Sequence, residues 1–318
     1  MNYLSLFSGI GAFEKAMKNL KIPFNLVGFS EIDKYAVKSY CAIHGVDESL
    51  NLGDITQIDE TRLPQIDFCT YGFPCQDIST GGYQKGLFNA DGTKTRSGLF
   101  FDAVRIIAYT KPQIAIAENV KNLVSKKFNA QFQIVLASLE AAGYNNYWAV
   151  LNAKHFGVPQ DRERVFIVSI RKDIDNGSFN FPDSHPLKLK FIDVLEDEVD
   201  EKFYMSQKCI EKMKRFMPKT CAYDVCPTLT TEMAHGTGKQ LSPKLYKIFT
   251  HFGITPRILT PKECFKLMGF KEEDFEKAAS VNSNTQLYKQ LGNSIVVDVA
   301  EAIFKQIFTS DIVNGDGN

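Results

Sequence analysis

A cysteine in a tight turn at the end of an apolar run, as in Gly72-Phe73-Pro74-Cys75-Gln76, can present a thiolate as a nucleophile. Taken alone, such a cysteine is more often a small buried side chain. Two further segments change its meaning. Glu118, in Glu118-Asn119-Val120, stands at the end of another apolar run. Gln160-Asp161-Arg162-Glu163-Arg164 leads into a third, and in extended backbone Arg162 and Arg164 face the same side. A thiol, a carboxyl and two guanidinium groups converging on one edge are parts for anion-assisted chemistry.

A second constellation lies near the N-terminus. Phe7-Ser8-Gly9-Ile10-Gly11 follows an apolar run and precedes a helical pattern. Glycines in that setting let the backbone turn tightly and approach a ligand, with a helix N-terminus just beyond. Glu31 falls twenty residues after Gly11, at the end of the next apolar run. An acid there reaches both ribose hydroxyls of a nucleoside cofactor. Asp54, in Gly53-Asp54-Ile55, can accept hydrogen bonds from an adenine amino group. A paired glycine is common in loops. Without a third glycine at dinucleotide spacing, this one suits a nucleoside lacking a pyrophosphate better than NAD.

These groups need a frame that brings strand ends together. Candidate strands are Tyr3–Phe7, Asn25–Phe29, Asp67–Tyr71, Gln113–Ala117, Tyr147–Leu151 and Val165–Ile170. Between the first two, Phe13, Ala16, Met17 and Leu20 mark one face of a helix, and Ser97–Tyr109 and Asn129–Ala142 carry similar stripes. The alternation predicts an α/β fold with an open, largely parallel sheet and helices on both faces. Turn formers in NGSFNFPDSHP, from Asn176, predict a boundary. The chain is then irregular to about Thr255, with a turn signal at HGTG. PKECFKLMGF reads as a short helix opened by Pro261, and Ile295–Phe308 as a last helix returning to the first unit. The Asp/Asn/Gly tail after Thr309 is expected to fray.

Bulk properties exclude several classes. Forty-four per cent of the 318 residues are apolar or aromatic, enough for a sizeable core without staples. No apolar run approaches the roughly 20 residues of a membrane span, and MNYLSLFSGIG lacks a basic flank and a cleavage-like site. A soluble, intracellular protein is expected. Seven scattered cysteines without CxxC, and no histidine pair at zinc-finger spacing, argue against a disulfide framework and against zinc. Thirty-seven basic residues balance thirty-seven acidic ones, but charge is segregated. Asp193–Glu201 holds six acids, whereas Lys202–Arg257 holds ten Lys/Arg against three Asp/Glu. That basic stretch suits phosphate contacts and suits a solvated surface equally well.

The segments FSGIG, GDI, GFPCQ, ENV, QDRER, PKECFKLMGF and QLGNSIV occur in the order found in DNA cytosine-5 methyltransferases of bacteria and phages. The chain resembles that family, in its type II restriction–modification form, over nearly its whole length except the basic region around 210–250. The resemblance implies a Rossmann-like S-adenosylmethionine-dependent methyltransferase fold with a smaller, irregular target-recognition domain. It divides the chain into a catalytic domain (1–183), a target-recognition domain with the hinge motif (184–285), and a C-terminal segment returning to the catalytic domain (286–318). It implies S-adenosyl-L-methionine as methyl donor, S-adenosyl-L-homocysteine as product, and no metal. Cys75 resembles the nucleophile and Pro74 the residue shaping the turn before it. Glu118 resembles the acid that holds N3 of the base. Arg164 resembles the arginine that binds O2 and orients that acid, and Arg162 its companion near the cysteine.

For the cofactor, the resemblance implies Phe7 against the adenine, Glu31 at the ribose, Asp54 and Ile55 at the adenine, and Asn293 and Ile295 closing the pocket. Ser8, Gly9, Gly11 and Ile32 complete the set. The stretch 76–94, with Gly81, Gly82, Gly86 and Gly92, resembles the mobile loop that closes over DNA. Gln76 and Ser79 in that loop, and Thr228, Thr230 and Thr231 in the variable region, are DNA-contact candidates. Lys212, Lys214, Arg215 and Lys219 are phosphate candidates. Asp161 and Asp77 depart from the family's usual residue types, and Asp77 puts the loop's DNA contacts in doubt. The implied partner is double-stranded DNA, with a cognate restriction endonuclease acting separately, no membrane, and a cytoplasmic monomer.

Three other readings bear on these residues. A tRNA-methylating relative would share the catalytic motifs, but it would carry Cys-Phe-Thr in the variable region, absent here, and usually lack Phe73. A catalytically inactive DNA-binding homologue would have lost motif residues that are all present. An NAD-linked oxidoreductase would leave Gly72-Phe73-Pro74-Cys75 and QDRER without a role.

Overall fold

The computed structural model describes residues 1–215, 218–231 and 243–309. Strands β1 (Asn2–Leu6), β2 (Asn25–Ser30), β3 (Phe68–Tyr71), β4 (Ile114–Val120), β5 (Tyr144–Asn152), β6 (Gln160–Asp161), β7 (Glu163–Arg171) and β8 (Cys226–Pro227) alternate in the first half with α1 (Ala12–Asn19), α2 (Lys34–His44), α3 (Phe100–Thr110) and α4 (Asn129–Ala141). Six strands form one sheet in the order β2-β1-β3-β4-β7-β5. β1, β3 and β4 are almost wholly buried, as near-continuous apolar runs covered on both faces should be.

The ladders joining β2, β1, β3 and β4 are parallel, as the alternation predicts. β7 departs from that rule, pairing antiparallel with both β4 and β5. The reversal follows from the short connection between β5 and β7, which leaves room for a hairpin but not for a crossover helix. It matters for chemistry, because the start of β7 now meets the end of β4, one strand away from β3. In register, Glu118 faces Phe166 and Val120 faces Arg164.

Each face of the sheet carries its own apolar layer. One joins Phe100, Ile107, Phe132 and Leu139 of α3 and α4 to Cys69, Ala117 and Ile167 of the sheet. The other joins Phe13 and Met17 of α1 to Phe68, Phe166 and the later chain, including Phe191, Phe249, Phe265 and Phe304. The helical stripe from Phe13 to Met17 therefore packs as its spacing requires. α3 starts three residues later than the stripe suggests, because Ser97–Leu99 forms a tighter 3₁₀ turn.

The later chain adds α5 (Gln207–Lys214), α6 (Pro243–His251), α7 (Pro261–Lys266), α8 (Glu272–Val281), α9 (Asn284–Asn293) and α10 (Val297–Thr309). α7 opens at Pro261 behind a capping box, with Thr260 Oγ1 accepting from the Glu263 amide and Glu263 accepting from the Thr260 amide. Glu263 is buried and takes two bonds from Arg257, at 2.6 and 2.8 Å. α10 begins at Val297, not Ile295. It returns to the sheet through Phe304, whose ring lies 5.9 Å from Phe13 and 5.6 Å from Phe68. β6 and β8 form a separate two-stranded ladder linking the QDRER segment to the variable region. The turn expected at HGTG and the tail after Thr309 lie outside the described residues, as does the Lys212 side chain. Among the described residues, no helix is long and apolar enough to cross a membrane.

Candidate active site

The thiol is positioned by the turn that follows β3. Asn119 donates from Nδ2 to the Phe73 carbonyl at 2.9 Å, fixing the peptide just before Pro74. The Cys75 carbonyl then accepts from Ile78 and Ser79, at 2.9 and 2.8 Å. Asn122 Nδ2 holds the Ile78 carbonyl at 2.5 Å. Neither asparagine was marked by its type alone. Asn119 carried a weak signal as the centre of ENV, and Asn122 carried none.

Glu118 is 9% exposed at the end of β4 and pairs with Arg164, Nε to Oε1, at 3.0 Å. Burial raises its carboxyl above the ordinary range, against the pull of Arg164 and Arg162. The Cys75 thiol is pushed up by burial and by the Glu118 charge, while Arg164 and Arg162 draw it down. The four groups singled out from sequence thus share one electrostatic environment. Gly72 sits beside Glu118: a β-carbon there would contact Glu118 Oε2 at 3.7 Å and Ile295 at 3.8 Å.

The two arginines do different work. Arg164 is engaged with Glu118 and with the Glu163 carbonyl. Arg162 is buried, and its guanidinium donates to the carbonyls of Leu229, Gly292 and Ser294 at 2.9, 3.0 and 2.6 Å. Burial and the Arg164 charge bring it down to about 9. Arg162 therefore ties the strand entering β7 to the variable region and to the GNSI segment. Gly292 fits because a β-carbon there would come within 2.4 Å of the Thr231 amide. Thr228 is exposed, and its hydroxyl donates to the Asp161 carbonyl, joining two segments far apart in sequence. Thr230 is exposed and Thr231 half-buried.

The glycine loop forms one wall of a cleft reaching Glu118. Phe7, Ser8, Gly9, Gly72, Glu118, Asn293 and Ile295 line it together. Phe7, Gly9 and Gly11 all have left-handed backbone, with φ of 53°, 57° and 80°. At Gly11 a β-carbon would lie 2.1 Å from His44 Nε2, so glycine is required twice over. Glu31 is held ready by two amides, Gly9 to Oε2 at 2.9 Å and Asp33 to Oε1 at 2.8 Å. Burial raises its carboxyl, while those amides pull it down. Asn51 binds the Glu31 backbone from both sides, at 3.0 and 3.1 Å, a support that no sequence pattern announces. Ile32 is 75% exposed. Ile55 is buried, and Asp54 caps the turn Ile55–Gln57 through its Oδ1. Gly11, Glu31, Ile32, Asp54 and Ile55 do not line the cleft itself.

The loop after Cys75 is anchored at several points. Asp77 is buried and exchanges bonds with Ser97, at 3.3 and 3.4 Å, so its carboxylate turns inward. Gln76 is exposed and accepts from Arg96 at 2.8 Å. Gly82 packs where a β-carbon would meet the Gln76 carbonyl at 1.9 Å. Ser79 is half-buried. Lys214, Arg215 and Lys219 are exposed. Among the described residues no group of acids, histidines and cysteines could hold a metal ion.

The family model described as C-5 cytosine-specific DNA methylase matches residues 1–309. The chain is 36% identical to the type II methyltransferase M2.ScrFI of Lactococcus lactis subsp. cremoris, over 96% of this chain and 98% of that protein. It is 31% identical to the orphan methyltransferase M.SPRI of Bacillus phage SPR, over 96% and 97%. Among solved structures, the Dnmt2 methyltransferase of S. pombe shares the fold with a TM-score of 0.71, covering 97% of this chain and 98% of that one at 22% identity.

Proposed function

The chain belongs to the C-5 cytosine-specific DNA methylase family, and on that premise we propose that it methylates carbon 5 of a cytosine flipped out of duplex DNA, with Cys75 as covalent nucleophile. The observation that carries this reading is the Glu118–Arg164 pair, whose buried Glu118 lines the glycine-loop cleft and whose two charges both act on Cys75. Arrangements of this kind suit a planar ring with a carbonyl and a ring nitrogen side by side.

The Cys75 thiolate adds to carbon 6, and the electron pair of the carbon 5–carbon 6 bond passes toward N3. Protonated Glu118 delivers its proton to N3, so the adduct is neutral and carbon 5 becomes enamine-like. The raised carboxyl supports this role, because an ordinary glutamic acid would have lost the proton at neutral pH. Protonating Glu118 also removes the charge that opposes the Cys75 thiolate, while both arginines keep favouring it. Arg164 holds Glu118 through Nε and orients the base through O2. Once carbon 5 carries the methyl group, N3 returns its proton to Glu118, the proton on carbon 5 passes to solvent, the carbon 5–carbon 6 double bond re-forms, and Cys75 departs as thiolate.

S-adenosyl-L-methionine, when bound, supplies an electrophilic methyl group on a sulfonium. The residues fit such a group. Left-handed backbone at Phe7 and Gly9 opens the loop, Glu31 is poised by two amides, and Ile32 offers an exposed apolar face. Phe7, Ser8, Gly9, Gly11, Glu31, Ile32, Asp54, Ile55, Asn293 and Ile295 would hold it, and the chemistry calls for no metal. Reaching carbon 6 requires extrusion of the base, at a cost of a few kcal/mol. Gln76, Ser79, Thr230 and Thr231 would face the DNA, with Lys214, Arg215 and Lys219 near phosphates. The proposal keeps residues 1–183 as catalytic domain, 184–285 as target-recognition domain and 286–318 as the returning segment. It also includes a cytoplasmic monomer, a separate endonuclease, and a restriction–modification setting, the last supported by the type II relative. Bisulfite sequencing of DNA from cells expressing the chain tests it. One short motif is expected to carry a resistant cytosine; resistance confined to RNA, or none at all, would overturn the proposal.

A further inference from the structure

A cavity of about 420 Å³ lies against the β6–β8 ladder, separate from the glycine-loop cleft. That size falls in the range of sites that hold small organic groups. Its walls include Lys154, Asp161, Thr220, Pro227, Lys244 and Ile248. It adjoins the catalytic edge through one residue step, since Asp161 immediately precedes Arg162, and Arg162 holds the Leu229 carbonyl. The ladder registers Asp161 with Pro227, and Thr228 bonds the Asp161 carbonyl, so this wall is fixed relative to the target site.

Asp161 is an acid on a wall that also carries Lys154 and Lys244, and a purely phosphate-binding surface would exclude it. Asn152 and Lys154 both bond its Oδ1, at 2.8 and 2.9 Å. Oδ2 has no hydrogen-bond partner among the described residues. Burial pulls this carboxyl up, but the bonds from Asn152 and Lys154 and the Lys154 charge outweigh it, so it is an ionised acceptor. A fixed acceptor beside a fixed ammonium, over an apolar floor, matches the major-groove edge of a C·G pair. There cytosine presents an amino group, and guanine presents O6 and N7.

We propose that this cavity reads a C·G pair of the recognition sequence close to the target cytosine, with Asp161 Oδ2 accepting from cytosine N4 and Lys154 donating to guanine. The inference rests on the reading of the chain as a DNA cytosine methyltransferase. Its test uses the full-length chain, as wild type, Asp161→Asn, Asp161→Ala and Lys154→Gln. Each is incubated with duplexes randomised around a cytosine, and the products are sequenced after bisulfite treatment. In Asp161→Ala and Lys154→Gln, preference for C·G at one flanking position should fall roughly tenfold or more. Asp161→Asn, which can bond adenine N6 and N7, should shift that same position toward A·T. Should Asp161→Ala not fold, Asp161→Asn and Lys154→Gln carry the test. Unchanged preference in the folded variants, with or without uniformly slower methylation, would overturn the inference while leaving the activity standing. Absence of methylation in the wild type would overturn both.

Discussion

At the carboxyl edge of the sheet, polar groups are buried and mutually committed. Glu118 is bonded to Arg164, and Arg162 gives three bonds to backbone carbonyls from two later segments. Along residues 207–231, by contrast, Lys214, Arg215, Lys219, Thr228 and Thr230 stand exposed on short elements. Under the proposed function, the difference follows from the demands on each region. A reacting base needs donors whose position is fixed before it arrives. A surface that meets a polyanion gains more from many adjustable charges, each of small individual worth.

Breaking the committed edge should therefore have large effects. Cys75→Ser should lower methyl transfer to DNA by roughly 10³-fold or more, while the melting temperature and cofactor binding stay as in the wild type. Glu118→Gln should slow turnover by roughly 10²- to 10⁴-fold and change the pH profile. In the wild type the rate should be level between the elevated Glu118 value and the higher Cys75 value, where each rise in pH loses donor proton as fast as it gains thiolate. It should fall toward acid below the Glu118 value, and toward alkali above the Cys75 value, where the donor is lost with no further gain in thiolate. Glutamine donates at every pH, so the alkaline decline should vanish and the acid limb remain. A profile identical to wild type would remove Glu118 from proton transfer.

Arg162→Met leaves three carbonyls without their donor and should cost on the order of 3 kcal/mol or more in urea unfolding. Arg164→Met should cost less stability, because Glu118 can take up a proton in place of its partner. Equal losses would show that the two arginines are not divided as described. The adjustable surface should respond least. In Lys214→Gln with Lys219→Gln, the slope of log affinity against log salt should shrink by about 0.9 per lost phosphate contact, with site preference unchanged.

Much of this was legible in the chain. All six strands of the main sheet appeared at their predicted places, because buried runs such as Ile114–Ala117 carry strong local signals. The reversal of β7 was not legible from periodicity, which is blind to strand direction. Cys75, Glu118 and Arg164 were recognisable by type and strand-end position. The supports were not: Asn119, Asn51 and Gly292 act through contacts with residues far away in sequence, and an asparagine or glycine looks the same in any loop. The helices α2, α5, α6, α8 and α9 escaped notice; in α5 and α8 half of the residues are charged, which leaves few apolar positions to mark a stripe. Asp77, a source of doubt in the sequence, turned out to face Ser97 in the interior.

The central claim is covalent attack by Cys75 on carbon 6 of cytosine. It is tested most directly by incubating the protein and S-adenosyl-L-methionine with duplex DNA carrying 5-fluorocytosine at the target position, followed by denaturing electrophoresis and peptide mapping. Fluorine blocks loss of the carbon 5 substituent, so the account predicts a denaturation-resistant protein–DNA adduct mapping to Cys75 and absent from Cys75→Ser. No adduct under conditions where ordinary cytosine is methylated, or an adduct at another residue, would contradict it.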